Sequence, residues 1–185
     1  MLFRSESIVV VHNLAAFVSR YGTGIRVAGE FSGSLDNAGE RLTLTGPLGE
    51  PILNFSYDPA WYPATDGGGF SLVAVNPNAP PSAWGLAQNW RPSSQLGGSP
   101  GATDPRPPPA ILTAASGPGN ILRVAWPAGS GNFTLQSTAA LDTPIQWSRI
   151  TNTPALLGDQ WVVDSVPPTN QATFYRLQGH APGGP

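Results

Sequence analysis

Apolar residues in this chain recur in short alternating runs, and glycine, proline and asparagine separate the runs. In residues 41–45, Leu42 and Leu44 point to one face of a predicted strand, while threonines point to the other. A second run, residues 51–57, follows a Gly-Pro turn, and a third follows a glycine-rich corner. Short runs separated by turn residues are typical of antiparallel β structure. Residues 29–72 therefore predict an antiparallel meander, with either a bulge or burial on both sides in the second strand, because its apolar residues fall on both faces.

The segment before the meander is predicted to contain a strand followed by a helix. Residues 7–12 form a continuous β-branched run of the kind found in buried strands. Asn13 is a suitable N-cap for a helix over residues 14–21, and Gly22 supplies its end. The apolar residues of that helix share one face: Leu14, Phe17, Val18 and Tyr21. We expect a short strand over residues 25–31 to lead into the meander.

Composition shifts to serine, glycine and proline after residue 92, and Arg106 is followed by three prolines that predict a semi-rigid spacer. Beyond it, short runs resume at residues 111–114, 120–126, 132–137, 145–150, 160–166 and 172–178. Their large apolar residues, Trp126, Phe133, Trp147, Trp161 and Phe174, would supply most of a second core. The sequence therefore predicts an all-β chain of two small β-sandwiches. The predicted divisions are residues 1–104, a Pro-rich linker 105–109, a second sandwich 110–178 and a disordered tail 179–185.

Composition also narrows the classes of function. The chain has no cysteine, which excludes disulfides and thiolate chemistry, and its nine basic residues are all arginine, which excludes a lysine Schiff base. The arginines are scattered and the net charge is −2, so we expect no nucleic-acid partner. No apolar run approaches the ~20 residues that a transmembrane helix needs. We expect no cofactor.

The pattern of the first half resembles the lamin-tail domain, an immunoglobulin-like β-sandwich of nuclear lamins and of bacterial secreted or surface proteins. The matching residues are Gly29 to Gly33, Leu35, Asn37-Ala38-Gly39-Glu40, Leu42, Leu44, Phe55, Tyr57, Trp61-Tyr62-Pro63, Asp66 to Leu72, Trp90-Arg91 and Gly98 to Gly101. The opening strands of that family are missing, so the resemblance implies an N-terminally truncated domain. We expect an uncovered sheet edge or an exposed apolar face beside residues 8–11.

The second half resembles the small fibronectin-like modules near the C-termini of bacterial secreted proteins. The residues that carry this likeness are Leu122 to Pro127, Phe133 to Ser137, Trp147 and Phe174 to Leu177. Together the two resemblances imply an extracellular or cell-surface location, although residues 1–6 show no signal-peptide pattern.

One motif is typical of catalysis. Residues 97–101 read Gly-Gly-Ser-Pro-Gly, which fits the G-x-S-x-G pattern around the nucleophile of serine hydrolases. Pro100, however, removes the N–H that an oxyanion hole needs after Ser99, and the two histidines, His12 and His180, lie near opposite ends of the chain. We interpret the motif as a closing turn, and we expect neither a catalytic residue nor an enzyme.

Two further groups of residues leave alternatives open. The acidic residues Asp36, Glu40, Asp58 and Asp66 lie on predicted turns, where they either bind calcium or hydrogen-bond to the amides of their own turns. Hydrogen bonding to the turn amides is the favoured interpretation, and we assign no metal-binding residue. Trp61, Tyr62, Trp84 and Trp90 form an aromatic block that either packs in the core or contacts a sugar or protein partner.

These observations predict a non-catalytic structural or interaction module of a larger secreted or cell-surface protein. The partners expected are other domains of that protein, a surface protein or a polysaccharide. An alternative is the accessory C-terminal region of a secreted hydrolase, which binds carbohydrate through the aromatic block.

Overall fold

A computed structural model describes residues 7–117, 119, 121–165 and 172–183. The elements in chain order are β1 (Val9–Val11), α1 (Leu14–Tyr21), β2 (Val27–Glu30), β3 (Arg41–Thr45), β4 (Pro51–Ser56), β5 (Leu72–Ala74), β6 (Trp90–Pro92), β7 (Thr113–Gly117), β8 (Ile121–Pro127), β9 (Phe133–Thr138), β10 (Ser148–Arg149), β11 (Ala155–Leu157), β12 (Gln160–Ser165) and β13 (Phe174–Gly179). The chain is all-β, with five sheets and one short α-helix in these ranges. No helix of the described residues is long and apolar enough to cross a membrane.

The helix α1 begins and ends at the residues that the sequence predicts. The side chain of Asn13 accepts a hydrogen bond from the Ala16 N–H at 2.8 Å, and Gly22 ends the helix at a φ of 80°. Three residues of the predicted apolar face are half-buried: Phe17, Val18 and Tyr21. The fourth, Leu14, is 43% exposed, because it lies in the first turn at the outer end of that face.

Strands β1 and β2 pair in parallel on either side of α1. The prediction of a buried strand over residues 7–12 is wrong for most of its length, since only Val11 is buried. Ile8 is 41% exposed and Val10 is 52% exposed, because this sheet has two strands and its outer face is uncovered in the described part of the chain. An exposed apolar face beside residues 8–11 is therefore present.

Strands β3 and β4 form the first antiparallel hairpin of the predicted meander, with Leu42 opposite Phe55 and Leu44 opposite Leu53. The next pair is Thr45 and Pro51, so Ile52 is the extra residue of a bulge. Both the hairpin and its bulge are thus confirmed.

The third strand of the predicted meander forms, but it does not pair with the hairpin. Strand β5 pairs with β6, which lies sixteen residues after it, and not with β4. Two 3-10 turns, Pro59–Trp61 and Pro63–Thr65, each begin with proline and lead the chain away from the hairpin. A second pair of 3-10 turns, Pro81–Ala83 and Ala87–Asn89, then connects β5 to β6.

Residues 113–179 form a β-sandwich. One sheet has the strand order β11-β12-β8-β7 and the other has the order β10-β9-β13. The core between them contains Val124, Trp126, Leu135 and Val163, all at most 3% exposed. Residues 118, 120 and 166–171, which include the ends of two predicted runs, lie outside the described residues.

The two halves of the chain share a second buried cluster. Ala64 and Phe70 from the first half contact Ala128 from the second, and Leu156 and Trp161 pack against them. Residues 103–112 between the halves form no helix or strand. The parts of the chain before and after the Pro-rich segment therefore contact each other directly.

Candidate functional site

The three tryptophans of the aromatic block form one group of rings with Phe55 of β4, and Tyr62 joins it by a hydrogen bond to the Trp90 carbonyl. The ring of Trp90 stacks on Phe55 with centroids 5.2 Å apart, and Trp84 lies 5.7 Å from Phe55 and edge-on to Trp90 at 5.4 Å. Trp61 lies 6.4 Å from Trp90. Such offset and edge-to-face pairs stabilise a core beyond the area they bury. The block therefore joins the hairpin of β3 and β4 to the sheet of β5 and β6.

Hydrogen bonds within the same region fix the polar ends of the block. The Tyr62 hydroxyl donates to the Trp90 carbonyl at 2.7 Å, and the Trp90 indole N–H donates to the Trp84 carbonyl at 2.7 Å. Burial raises the pKa of the Tyr62 hydroxyl. Tyr62 and Trp90 are buried, whereas Trp61 and Trp84 are half-buried. Only the partly open faces of Trp61 and Trp84 remain for contact with a partner.

Ser99, the serine of the G-x-S-x-G motif, donates to a carboxylate and not to a histidine. Its hydroxyl lies 2.9 Å from Oδ2 of Asp104, whose side chain is 3% exposed. The other oxygen, Oδ1, accepts from Arg91 at 2.6 Å and from the Ser94 N–H at 3.0 Å. His12 borders the same surface depression as Ser99, but no hydrogen bond joins them.

The surroundings of Asp104 make it a weak base. Burial by itself raises the pKa of this carboxyl, but hydrogen bonds from Arg91, Ser94 and Ser99, with the charge of Arg91, outweigh burial and hold the pKa below its ordinary value. A general base that activates a serine works best with a pKa near the operating pH. The cluster of Arg91, Ser99 and Asp104 is therefore suited to fixing the chain path.

The acidic turns satisfy their own amides. Asp36 accepts from the Ala38 N–H at 2.8 Å, Glu40 accepts from the Asp36 N–H at 3.0 Å, and Asp58 accepts from the Ala60 N–H at 2.8 Å. The fourth, Asp66, differs: its backbone N–H donates to the Pro63 carbonyl at 3.2 Å, and its carboxylate accepts no hydrogen bond from a described residue. Across the described ranges, no three acidic or histidine side chains are grouped closely enough to bind a metal ion.

A cavity of about 630 Å³ opens where the two halves of the chain meet. Its aromatic lining comes from the second half: Trp126 and Trp161, which are directly opposite each other on β8 and β12, and Phe133 of β9. Ala60 and Pro63, from the 3-10 turns of the first half, complete the wall. Clefts of this size at the meeting of two structural units are common small-molecule sites.

Hydrogen bonds across the junction fix the shape of this cavity. Asn132, which lines the cavity, donates from Nδ2 to the Trp61 carbonyl at 2.8 Å. The Gly183 N–H donates to the same carbonyl at 3.3 Å, and the His180 N–H donates to the Asn132 carbonyl at 3.2 Å. Residues after β13 are therefore part of the junction, while residues 184–185 of the predicted tail lie outside the described residues.

The rim of the cavity is formed by polar residues of β9, of β10 and of the segment that follows β10. Arg149 at the end of β10 is exposed and makes no ion pair with a described residue. Thr134, Thr151 and Thr153 also line the cavity, as does His180. The set of lining residues includes no aspartate or glutamate. Arg149 pairs with Gln136 and Thr134 lies between the core-facing Phe133 and Leu135, so both side chains leave the sheet on the face away from the aromatic floor.

The sequence predicts that the aromatic residues of the cavity floor are core residues, and it predicts no role for the residues of the rim. Trp126, Phe133 and Trp161 are core residues of the sandwich as predicted, whereas the same prediction for Phe174 is wrong, since that residue is 38% exposed on the outer face of β13. Ala60 and His180 are separated by more than half of the chain. No local pattern in the sequence brings such distant residues together.

The chain matches no protein-family model, no curated protein and no solved structure in the comparisons made. The lamin-tail and fibronectin-like resemblances, and the domain boundaries based on them, therefore stay predictions.

Proposed function

We propose that this chain is a non-catalytic attachment module of a larger secreted or cell-surface protein. The observation that carries the proposal is the junction, where Ala64 and Phe70 of one half contact Ala128 of the other beside an open cavity. Packing of this kind suits a unit that transmits load between neighbouring domains and presents one fixed surface. The resemblance to modules of bacterial secreted proteins supports the location outside the cell.

The geometry at Ser99 supports the non-catalytic part of the proposal. A serine nucleophile needs a base that accepts its proton, and that base needs an orienting partner. The hydroxyl of Ser99 instead donates to Asp104, which is ion-paired to Arg91. We expect the purified chain to hydrolyse activated esters no faster than its Ser99→Ala variant does. A rate that falls when Ser99 is replaced would contradict this part of the proposal.

The location outside the cell is tested in cells of the source organism with an antibody against the chain. We expect the protein in the medium, or on intact cells where added protease removes it. Full protection from protease in intact cells, with release only on lysis, would contradict the proposal.

The cavity favours a second candidate function, the carbohydrate-binding accessory region of a secreted hydrolase. Trp161 and Phe133 of its floor are half-buried, and aromatic rings offer apolar faces on which sugar rings stack, whereas Trp126 below them is buried in the core. A catalytic domain encoded in the same reading frame before residue 1 would favour this candidate over a purely structural module.

A further inference from the structure

We propose that the outer face of the sheet β10-β9-β13 binds an acidic polysaccharide, a polymer of sugar units that carry carboxylates. This inference rests on the proposed attachment role and names a ligand for it. The outer face points away from the sandwich core, into which Leu135, Tyr175 and Leu177 of the same strands project. It is therefore the opposite side of the sheet from the aromatic floor of the junction cavity.

The strand register places two arginines in one row on this face. Arg149 of β10 and Arg176 of β13 both lie directly opposite Gln136 of the central strand β9. Residues that pair directly across a sheet point to the same face, so all three side chains lie on the outer face. Both arginines are exposed. The two strands that carry them are separated by roughly 10 Å, which is twice the spacing of neighbouring strands.

The guanidinium of Arg176 is held by two contacts. Its Nε donates to Oε1 of Gln136 at 2.8 Å, and its Cζ lies over the ring of Trp147, 4.4 Å from the centroid. The terminal nitrogens of Arg176 donate no hydrogen bond to a described residue. An arginine that is already oriented loses less side-chain freedom when it binds a ligand. These nitrogens are therefore preoriented donors for an acceptor outside the chain.

The positive charge of this face is not neutralised within the described residues. Neither Arg149 nor Arg176 forms an ion pair with a described carboxylate. On the other sheet of the sandwich, by contrast, Arg123 lies opposite Asp164 and pairs with it at 2.7 Å. A guanidinium binds a carboxylate through two parallel N–H···O hydrogen bonds. The face of β10-β9-β13 is therefore complementary to a ligand with more than one carboxylate.

The other residues of the face favour a sugar polymer over an acidic peptide. The outward positions of β9 and β13 are polar or aromatic and include no aliphatic or acidic residue: Thr134, Gln136, Thr138, Phe174, Arg176 and Gln178. Sugar hydroxyls pair with amides and hydroxyls, whereas a bound peptide usually anchors apolar side chains in pockets. Phe174, which is 38% exposed, adds an apolar surface on which a sugar ring stacks.

The probe is a hexamer of galacturonic acid, titrated into the full-length, isotope-labelled chain and followed by NMR. We expect the resonances of the Trp147 indole N–H and of the Gln136 side-chain amide to shift. The affinity should fall as salt is raised, because salt screens contacts with exposed arginines. No shift at these two groups, or an affinity that does not respond to salt, would overturn the inference.

Length and chemistry of the ligand provide further tests. One hexamer can contact both arginines, so it should bind more tightly than the single sugar by more than roughly sixfold, the statistical factor for six equal units. A neutral hexamer of galactose and a hexamer of glutamate should both bind more weakly, since the first has no carboxylates and the second has no hydroxyls. A smaller gain with length, or equal or tighter binding of either comparison ligand, would overturn the inference.

Replacement of the arginines tests the assigned contacts. In Arg149→Gln and in Arg176→Gln we expect the affinity for the acidic hexamer to fall about two- to fivefold each, the scale of an exposed ion pair, and about tenfold in the double variant. The matched control is Arg41→Gln, since Arg41 is exposed on β3 and belongs to another sheet. Circular dichroism of all variants should match the wild type. A double variant that binds as tightly as Arg41→Gln would overturn the inference.

These results and the test of location are independent. A chain that lies at the cell surface but does not bind the acidic hexamer leaves the attachment role standing and removes this ligand. A chain that binds the hexamer but is protected inside intact cells keeps the binding site and removes the proposed role.

Discussion

Asp104 shows how one side chain fixes the path of a segment that has no helix or strand. Its carboxylate accepts hydrogen bonds from Arg91, Ser94 and Ser99, and Arg91 also donates to the Pro105 carbonyl at 3.2 Å. These bonds attach the start of the Pro-rich linker to β6. A carboxylate at 3% exposure is stable in its charged form only because it is paired in this way.

Replacement of Asp104 by Asn should lower the free energy of unfolding at pH 7 by about 1–3 kcal/mol, since the charge-assisted hydrogen bonds to Arg91 are lost. Urea unfolding measures this change. Asp142→Asn is the matched control, because Asp142 is exposed and makes no side-chain bond in the described chain, and it should change the free energy by less than about 0.5 kcal/mol. Equal effects of the two variants would contradict the role assigned to Asp104.

The lowered pKa of Asp104 gives this stabilisation a pH dependence. The folded-state pKa lies below the ordinary 3.8, so the unfolded chain binds a proton at a higher pH than the folded chain does. The stabilisation is complete well above pH 3.8 and is lost as the pH falls through 3.8 toward the folded-state pKa. The difference in stability between wild type and Asp104→Asn should therefore shrink between pH 5 and pH 3. A difference that stays constant over that range would contradict the prediction.

At the scale of single residues, a side-chain hydrogen bond can be predicted from the sequence only when its two partners lie close together along the chain. The cap at Asn13 and the turn at Asp36 are predicted correctly, because each side chain bonds to a backbone N–H within three residues. The partners of Asp104 lie up to thirteen residues away, and Arg91 reaches it only because the chain returns past β6. A residue-by-residue reading of the sequence contains no signal for that bond.

At the scale of elements, turn chemistry decides which predictions succeed. The hairpin of β3 and β4 follows from its alternating pattern and from a turn in which the Gly46 N–H donates to the Glu50 carbonyl at 2.8 Å. A strand after the glycine-rich corner is predicted correctly, but its pairing with β4 is wrong because the pattern does not reveal the two proline-initiated 3-10 turns that precede it. Contacts of Phe55 with Trp84 and Trp90, which only the folded chain brings together, join β4 to the sheet of β5 and β6.

The cap of α1 provides a test at this scale. In Asn13→Ala, the amides of α1 should exchange with solvent about two- to thirtyfold faster, which corresponds to the 0.5–2 kcal/mol that an N-cap contributes. Hydrogen exchange followed by NMR at Phe17 and Val18 measures the change. Asn78→Ala, at an exposed loop position, is the control and should leave α1 unchanged. Unchanged exchange at Phe17 in Asn13→Ala would show that the cap does not stabilise the helix.

At the scale of the whole molecule, the all-β class and the strands of the second half are predicted by alternation and turn residues. The junction is not, because its buried residues come from distant parts of the chain and two of the three are alanines. Ala64 and Ala128 are at most 3% exposed, yet an alanine carries no signal for such a role. Both the cavity and the proposed attachment role depend on this packing.

Gly129 is a position where a small change would disturb the junction. A Cβ added there would lie 2.7 Å from the Ser93 carbonyl oxygen and 3.1 Å from that of Ser94, so the two halves would have to separate locally. We expect Gly129→Ala to cost about 1–3 kcal/mol. Gly85→Ala is the matched control, because no heavy atom lies within 4 Å of its added Cβ.

Differential scanning calorimetry of the wild-type chain and these two variants tests most directly whether the halves fold as one body. The wild type should unfold in one transition whose calorimetric and van 't Hoff enthalpies agree, with Gly85→Ala close to it. Gly129→Ala should unfold about 3–10 °C lower. Two separate transitions in the wild type, or a Gly129→Ala variant that unfolds at the temperature of Gly85→Ala, would contradict the account.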